Sequence, residues 1–388
     1  MGNKRLKQLS EVAADSIQLC PGGNIARLLD KDGYAWNLGG YNGGGQGGDN
    51  TNITKSSPVS VAGGHKFIYH RGGTNAFAID ESGYAWGWGY QFNNGNLGDG
   101  TIITRSSPVS VIGGHQFTQI AGGDYAQAAI DLDGYVWCWG YGLSGQNGQG
   151  TSADRTSSPV SVVGGHQFVK VACGSGHVMA LKADGYLWGW GDNGSGHLGD
   201  GTRDNRSSPV SVIGGHQFVD VECGDHRTFA LKADGTCMSW GKNEYGCLGH
   251  GLGYPNNASS PISVVGGHRF KKVVSSHRHA LAIDLDGLCW SWGHNSSHGF
   301  GDPWDGGALG IGSIEDQSSP VSVHGGHRWI AVAAGGNFSH GFTTRGELLS
   351  WGNNDAGQLS NGIQGIRELV PAPTIGPKFM EYENFGIF

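Results

Sequence analysis

The sequence predicts an all-β fold, a seven-bladed β-propeller built from four-stranded repeats of about 51 residues. Three observations predict it: a phrase that returns at a nearly fixed period, the strand and turn pattern inside each period, and the number of periods. The phrase is Ser-Ser-Pro-Val-Ser-Val, almost unchanged between copies, followed shortly by Gly-Gly-His, and successive copies are 50, 51, 50, 52 and 59 residues apart. Its prolines are Pro58, Pro108, Pro159, Pro209, Pro261 and Pro320.

The interior of each repeat predicts four strands. In one copy, residues 169–174, 178–183 and 186–191 are three short runs rich in β-branched and aromatic residues. An Asp-Gly pair at residues 184–185 joins the second and third runs, and such a pair suits the positive φ angles of a tight hairpin. The fourth run begins at Pro209, which lacks a backbone donor and therefore suits an outer edge strand.

The repeats fill nearly the whole chain, so we expect one propeller domain over residues 11–379. Residues 1–10 are then an N-terminal extension, and residues 380–388 are a C-terminal tail or part of the ring closure. The pattern leaves open which strand of a blade is innermost. The expected blades are 11–64, 65–114, 115–165, 166–215, 216–267, 268–326 and 327–379.

Composition narrows the function classes. A formal net charge of −7 argues against nucleic-acid binding, which depends on clustered Lys and Arg. The chain has no apolar run of about 18 residues, and residues 1–7 lack the apolar stretch of a secretory signal. We therefore expect a soluble protein made in the cytosol, without membrane insertion. Seven cysteines, an odd number without a Cys-x-x-Cys pair, predict buried free thiols.

Two residue types recur in register and are interpreted as structural. Eleven of the thirteen tryptophans occupy a Trp-x-Trp-Gly strand, so core packing explains them better than a sugar platform or a chromophore cluster. In six of the seven blades a histidine follows Gly-Gly, where capping a turn is expected and not a shared metal ion. These histidines are His65, His115, His166, His216, His268 and His327.

Motifs of catalysis and cofactor binding are missing from the sequence. Residues 189–194 match Gly-x-Gly-x-x-Gly, but no helix pattern follows them, so a dinucleotide site is not expected. There is no Gly-x-Ser-x-Gly elbow, no His-Glu-x-x-His and no P-loop. The sequence thus predicts neither an enzyme nor a cofactor nor a metal site.

Positions that differ between copies are free to recognise a partner, and they concentrate in the loop after each Trp-Gly. All seven loops should emerge on one face of the ring, where a rigid scaffold presents them. The alternative is that they are solvated turns without a function. The candidate contacts are the aromatic residues Tyr41, Tyr90, Phe92, Tyr141 and Tyr245.

The sixth repeat carries the largest departure, an insertion within residues 298–307. It adds aromatic residues and two carboxylates to a surface loop, and we expect it to contact a partner. A loop packed on itself, or a cation site formed by His298 with the two aspartates, are the alternatives. The candidate contacts are Phe300, Asp302, Trp304 and Asp305.

The repeat resembles that of the regulator of chromosome condensation. The resemblance rests on Asp-Gly-Tyr-x-Trp-x-Trp-Gly, on Leu-Gly-Asp-Gly at residues 97–100 and 198–201, and on Val-x-Val-x-Cys-Gly at residues 169–174 and 219–224. It implies a seven-bladed propeller. Members of that family range from guanine-nucleotide exchange on a small GTPase to light sensing and partner binding, so the resemblance does not fix an activity.

These observations together predict a non-enzymatic recognition or structural scaffold that binds a protein or a surface glycan through its loop face. The near-identity of the copies resembles repeat arrays of bacterial and viral proteins, so a component of a larger assembly, including a virion, is one form of this hypothesis. The alternative is a nucleotide-exchange factor for a small GTPase. The inserted β-wedge and basic segments of the eukaryotic exchange protein have no obvious counterpart here.

Overall fold

The computed structural model describes residues 18–20, 22–23, 25–152, 154–253, 255–296 and 306–374. These residues form seven four-stranded sheets, and each sheet is made of four strands that follow one another in the chain. Neighbouring strands pair antiparallel throughout, as in the sheet formed within residues 170–211. The arrangement confirms the predicted seven-bladed β-propeller.

The blades are numbered in chain order. Blade 1 comprises β1 (Gln18–Cys20), β2 (Ile25–Leu29), β3 (Ala35–Gly40) and β4 (Val59–Ser60); blade 2 comprises β5 (Phe67–Arg71), β6 (Ala76–Asp80), β7 (Ala85–Gly89) and β8 (Arg105–Ser110). Blade 3 comprises β9 (Phe117–Gly122), β10 (Ala126–Asp131), β11 (Val136–Tyr141) and β12 (Arg155–Ser161); blade 4 comprises β13 (Lys170–Cys173), β14 (His177–Leu181), β15 (Leu187–Gly191) and β16 (Arg206–Ser211). Blade 5 comprises β17 (Asp220–Cys223), β18 (Arg227–Leu231), β19 (Cys237–Gly241) and β20 (Ala258–Ser263), with a 3₁₀ turn at Glu244–Gly246; blade 6 comprises β21 (Phe270–Ser275), β22 (His279–Asp284), β23 (Cys289–Gly293) and β24 (Gln317–Ser322). Blade 7 comprises β25 (Trp329–Ala334), β26 (Phe338–Thr343), β27 (Leu348–Gly352) and β28 (Glu368–Pro373).

The first strand of each blade is the innermost one. These strands contact one another in a closed series: β1 with β5, β5 with β9, β9 with β13, β13 with β17, β17 with β21, β21 with β25, and β25 with β1. At the closing point the backbone N–H of Gly336 donates to the carbonyl of Gly23 over 2.6 Å. The fourth strand, which carries the repeated proline, lies at the outer edge of its sheet, where a missing N–H is tolerated.

The second tryptophan of each Trp-x-Trp-Gly strand packs between blades. Trp88, Trp139, Trp190, Trp240, Trp292 and Trp351 are fully buried. In five of these blades the indole N–H also donates to a carbonyl in the loop of the preceding blade, as Trp240 Nε1 does to His197 over 3.0 Å. The residue therefore contributes both apolar burial and a bond between neighbouring blades.

The first tryptophan of the strand has a different role and is only half-buried. In blade 3, Trp137 Nε1 donates to Asp131 over 2.9 Å, and the other oxygen of that carboxylate accepts N–H groups of the hairpin turn. The recurrent His115 stacks on the same indole with ring centroids 3.8 Å apart. Equivalent pairs form between His65 and Trp86 and between His268 and Trp290, which supports the structural interpretation of the histidines.

The cysteines agree with the free thiols that the sequence predicts. All seven cysteines are free thiols. Burial raises the pKa of the Cys20 thiol to about 11 and that of Cys138 to about 12, so both stay protonated at neutral pH. Among the described residues, no helix has the length and apolar character that crossing a membrane requires.

Candidate recognition face

One face of the ring carries all the variable loops. Because strands alternate in direction, the turn between strands 1 and 2 and the loop between strands 3 and 4 leave a blade at the same end. In blade 4 the strand bends into its loop at Gly191, which has a φ of 102°, and a bulge interrupts pairing there. Each blade thus presents one short turn near the axis and one longer loop farther out, which we call the loop face.

The longer loops are closed from inside by a buried amide side chain. In blade 4, Asn193 Oδ1 accepts the N–H of Leu198 over 2.9 Å, while its Nδ2 donates to Asp200 and to the carbonyl of Thr202. Asn42, Gln91, Asn243, Asn295 and Asn354 make the corresponding bonds in other blades. Buried hydrogen bonds therefore fix the shape of these loops. The repeated amide after Trp-Gly-x is the sequence signal for this feature, which sequence reasoning missed.

Three exposed aromatic residues and one half-buried aromatic residue form a continuous cluster where blades 2 and 3 meet. Phe92 lies 4.6 Å from Tyr90 and 6.5 Å from Tyr125, and Tyr125 lies 5.9 Å from Tyr141, measured between ring centroids. Tyr90, Phe92 and Tyr125 are 42%, 41% and 45% exposed, and Tyr141 is half-buried. We call these four residues the aromatic junction.

Backbone conformation holds Phe92 on the surface at a cost. Its φ is 47°, and that of the following Asn93 is 57°, a left-handed region that side-chain-bearing residues rarely adopt. Tyr90 packs directly against the loop of blade 1. A Cβ built on Gly44 of that loop would lie 2.8 Å from the Cβ of Tyr90. Strained, exposed aromatic residues on ordered loops are typical of binding sites.

The remaining candidate contacts are dispersed. Tyr41 is 51% exposed on the loop of blade 1. Tyr245 is half-buried, because its ring packs against His294 of blade 6 at 4.3 Å. Phe300, Asp302, Trp304 and Asp305, and His298 of the cation alternative, lie outside the described residues. Tyr125, which sequence reasoning missed, sits in the short turn between the first two strands of its blade and not in a loop after Trp-Gly.

The central channel is crossed by ion pairs. Arg71 of blade 2 and Lys272 of blade 6 reach Glu222 of blade 5 at 3.2 Å and 2.8 Å, and Lys170 pairs with Asp220. Burial alone would raise the pKa of Glu222, but the surrounding cations hold it well below its usual range. These pairs connect blades across the axis, so we assign them to the scaffold.

At the mouth of the channel, on the loop face, Asp124 gathers polar side chains from three other blades. It accepts from Thr74 Oγ1 at 2.5 Å and from Ser175, and it pairs with His277 Nε2 at 3.2 Å. The hydrogen bond to Asp124 raises the pKa of His277 above its ordinary value, although burial opposes it. The polar side chains gathered at the mouth thus satisfy one another's hydrogen bonds.

Comparison with known families agrees with this architecture. Residues 3–339 match the family model described as RCC1-like domain, and residues 329–358 match the model of the regulator of chromosome condensation (RCC1) repeat. Because the first match covers most of the chain, the chain belongs to the RCC1-like domain family. The predicted family resemblance is thereby confirmed.

Relatives of known function differ widely. The ultraviolet-B receptor UVR8 of Arabidopsis thaliana is 29% identical over 240 residues, which are 60% of this chain and 52% of the receptor. The human E3 ubiquitin-protein ligase HERC2 is 28% identical over 244 residues, which are 62% of this chain and 4% of the ligase. The chain therefore spans about half the length of the first relative and a small part of the second.

Two solved structures share the fold. Saccharomyces cerevisiae Prp20p, whose structure was described with its binding to Gsp1p and histones, superposes with a TM-score of 0.75 at 20% identity, covering 95% of this chain and 89% of Prp20p. Yeast RCC1 (Prp20) bound to Kap60 gives a TM-score of 0.69 at 20% identity, covering 83% and 78%. Identities this low establish the fold alone.

Proposed function

We propose that this chain is a non-enzymatic recognition propeller that binds a protein partner through its loop face, with the aromatic junction as the main contact. The observation that carries the proposal is the cluster of Tyr90, Phe92, Tyr125 and Tyr141. The buried Gln91 closes the loop that carries Tyr90 and Phe92, and Asn96 Nδ2 of that loop donates to the carbonyl of Asp124 in the turn of Tyr125.

The chemistry of the junction suits a protein surface. Tyrosine combines a broad apolar ring with a hydroxyl and loses little conformational entropy on binding, and aromatic residues dominate the energetics of protein interfaces. The long loops of blades 2 and 3 carry further exposed apolar side chains: Leu143, Ile102 and Ile103 are 51%, 46% and 58% exposed. They add apolar area to the loop face beyond the four rings.

The experiment compares variants at two matched places on the loop face. Three proteins are immobilised: the wild-type chain, a Phe92→Ala/Tyr125→Ala variant and an Asp192→Asn/His226→Asn variant. Each is used to capture partners, which are identified by mass spectrometry and then purified. We expect the aromatic variant to bind the purified partner at least about 30-fold more weakly, the equivalent of about 2 kcal/mol. The second variant should bind within about twofold of wild type.

Equal binding by the aromatic variant and the wild type would overturn the proposal. A glycan array run in parallel tests the surface-glycan form of the hypothesis, and binding confined to glycans would replace a protein partner by a sugar. Copurification with a larger complex tests the assembly form. Exchange activity, the alternative class, predicts accelerated release of labelled GDP from a small GTPase.

A further inference from the structure

Three metal-ligating side chains meet on the loop face where blades 4 and 5 join. Asp192 and His197 come from the long loop of blade 4, and His226 comes from the short turn of blade 5. Asp192 Oδ2 lies 3.6 Å from His197 Nε2 and 3.7 Å from His226 Nδ1. One ligand atom from each residue lies within 4.8 Å of the others. We call these three residues the histidine junction.

His197 is buried without a hydrogen-bond partner for its ring. Its side chain is 1% exposed, and neither Nδ1 nor Nε2 makes a hydrogen bond. The 3.6 Å between Nε2 and Asp192 is too long for one. An unpaired buried polar group destabilises the folded state, and a ligand bound to this imidazole would offset that destabilisation.

The surroundings hold the backbone of His197 in position. The carbonyl of His197 accepts two hydrogen bonds, from Trp240 Nε1 at 3.0 Å and from Thr228 Oγ1 at 2.9 Å. The Nε2 atom of His226 lies 3.7 Å from the carboxylate of Asp225, which is beyond hydrogen-bond distance.

We propose that the histidine junction binds a divalent transition-metal ion of the Zn²⁺ class through Asp192, His197 and His226. Zinc bonds of about 2.0–2.1 Å place tetrahedral ligands about 3.4 Å apart, close to the two distances to Asp192. Two imidazoles and one carboxylate favour Zn²⁺ over Ca²⁺, which takes oxygen ligands. Asp192 and His226 are 28% and 34% exposed at their side chains, so the fourth coordination position faces the loop face. This site is independent of the partner proposed above.

The three ligand residues of the histidine junction are not a general feature of the repeat. The same three scaffold positions in other blades carry residues that do not together form such a ligand set. Between blades 2 and 3 they are Tyr90, Asn96 and Tyr125; between blades 5 and 6 they are Lys242, Cys247 and Arg278; between blades 6 and 7 they are His294, Ala308 and Asn337. The combination at blades 4 and 5 is therefore a local departure from the scaffold.

A second group of possible ligands, Asp124, Asp225 and His277, lies at the channel mouth. There the polar atoms already have partners, since Asp124 is hydrogen-bonded to Thr74, Ser175 and His277. Any metal would first have to break these bonds. This group serves as the internal control for the histidine junction.

The test uses the whole chain stripped of metal by a chelator. Zn²⁺ alone is titrated by calorimetry, and Co²⁺ is titrated by visible absorption, which reports tetrahedral coordination. His197→Gln introduces the residue that stands at the equivalent position as Gln146 and Gln358, and His226→Asn introduces the equivalent of Asn337. Both variants should therefore fold, which circular dichroism and the melting temperature check. Asp124→Asn is the control.

We expect wild type to bind one Zn²⁺ and to give the Co²⁺ absorption bands. Loss of a ligand should weaken binding more than about 100-fold, beyond the about 10–100-fold that removing an outer partner costs. Asp124→Asn should bind as wild type does. The proposal fails if His226→Asn and His197→Gln retain wild-type affinity, if wild type binds no Zn²⁺, or if Asp124→Asn abolishes binding.

Discussion

The aromatic junction and the histidine junction occupy the same scaffold positions but differ in their side chains. The first is built from aromatic rings, and the second is built from an aspartate and two histidines. Tyr90 and Tyr125 at the first correspond to Asp192 and His226 at the second. Beneath both, a buried tryptophan donates to the carbonyl at the third position: Trp139 to Asn96 over 2.9 Å and Trp240 to His197 over 3.0 Å. The comparison teaches that the shared residues hold the backbone, so exposed residues can change without loss of the fold.

The long loops of blades 2 and 4 are closed by equivalent hydrogen bonds. Gln91 and Asn193 bond the N–H groups of Leu97 and Leu198 and reach the aspartates Asp99 and Asp200. Arginine then completes each loop, with Arg105 pairing to Asp99 and Arg206 to Asp200. Two chemically unlike surfaces therefore rest on one frame. Differences in function between the junctions must come from the side chains that this frame exposes.

The largest expected effect tests the shared frame. Trp139→Ala and Trp240→Ala should each lower the free energy of unfolding by about 3–5 kcal/mol, because each removes a fully buried indole and its bond to the preceding blade. Denaturant-induced unfolding measures the loss. Comparable losses at the two junctions support a common frame. A loss confined to one of them would show that the frames differ.

A smaller, pH-dependent effect concerns the turns that precede Tyr125 and His226. Asp124 and Asp225 occupy equivalent places, but the hydrogen bond from His277 goes to Asp124 and raises the pKa of His277. The stabilisation is therefore complete below a pH of about 6.5, the ordinary pKa, and fades as the pH rises through the raised pKa.

His277→Asn should accordingly destabilise the protein more at pH 5.5 than at pH 9. The difference should stay below about 1 kcal/mol, because the His277 side chain is 37% exposed and solvent screens the pair. Denaturation midpoints at the two pH values measure it. Asp225→Asn is the matched control and should show the weaker pH dependence. A larger effect at pH 9 would contradict the assignment.

The smallest effect on stability is expected at Phe92, whose exposed position we explain by partner binding and not by the fold. Phe92→Gly relieves the positive φ of 47° but adds the flexibility of glycine, two terms of about 1 kcal/mol each and of opposite sign. The melting temperature should therefore change little while partner binding falls. A strong destabilisation, comparable to that of a buried tryptophan, would show that Phe92 serves the fold and not recognition.

The repeat made the fold predictable, because each copy repeats the Asp-Gly turn, the Trp-x-Trp-Gly strand and the proline strand. The junctions were not predictable in the same way. Asp192 and His226 are 34 positions apart in the chain and belong to different blades, so their approach depends on how blades pack. Tyr125 was not predicted because it lies outside the variable loops after Trp-Gly, in a short turn near the axis that reaches the same face.

The ion pairs of the channel correspond to charged residues at one repeated position of the sequence. Lys170, Asp220 and Lys272 occupy the same position on the first strands of blades 4, 5 and 6, and Glu222 stands two residues beyond Asp220. With a period of two, these side chains point to the axis. Because the innermost strand could not be assigned from sequence, their meeting could not be foreseen.

Amide hydrogen exchange of the chain with and without its captured partner tests the central claim most directly. Recognition at the aromatic junction predicts slower exchange in residues 90–94, 123–126 and 141–145 when the partner is bound. The equivalent segments at the histidine junction, residues 192–197 and 224–227, should exchange as in the free chain. Protection confined to the opposite face, at the Gly-Gly-His turns, would contradict the account.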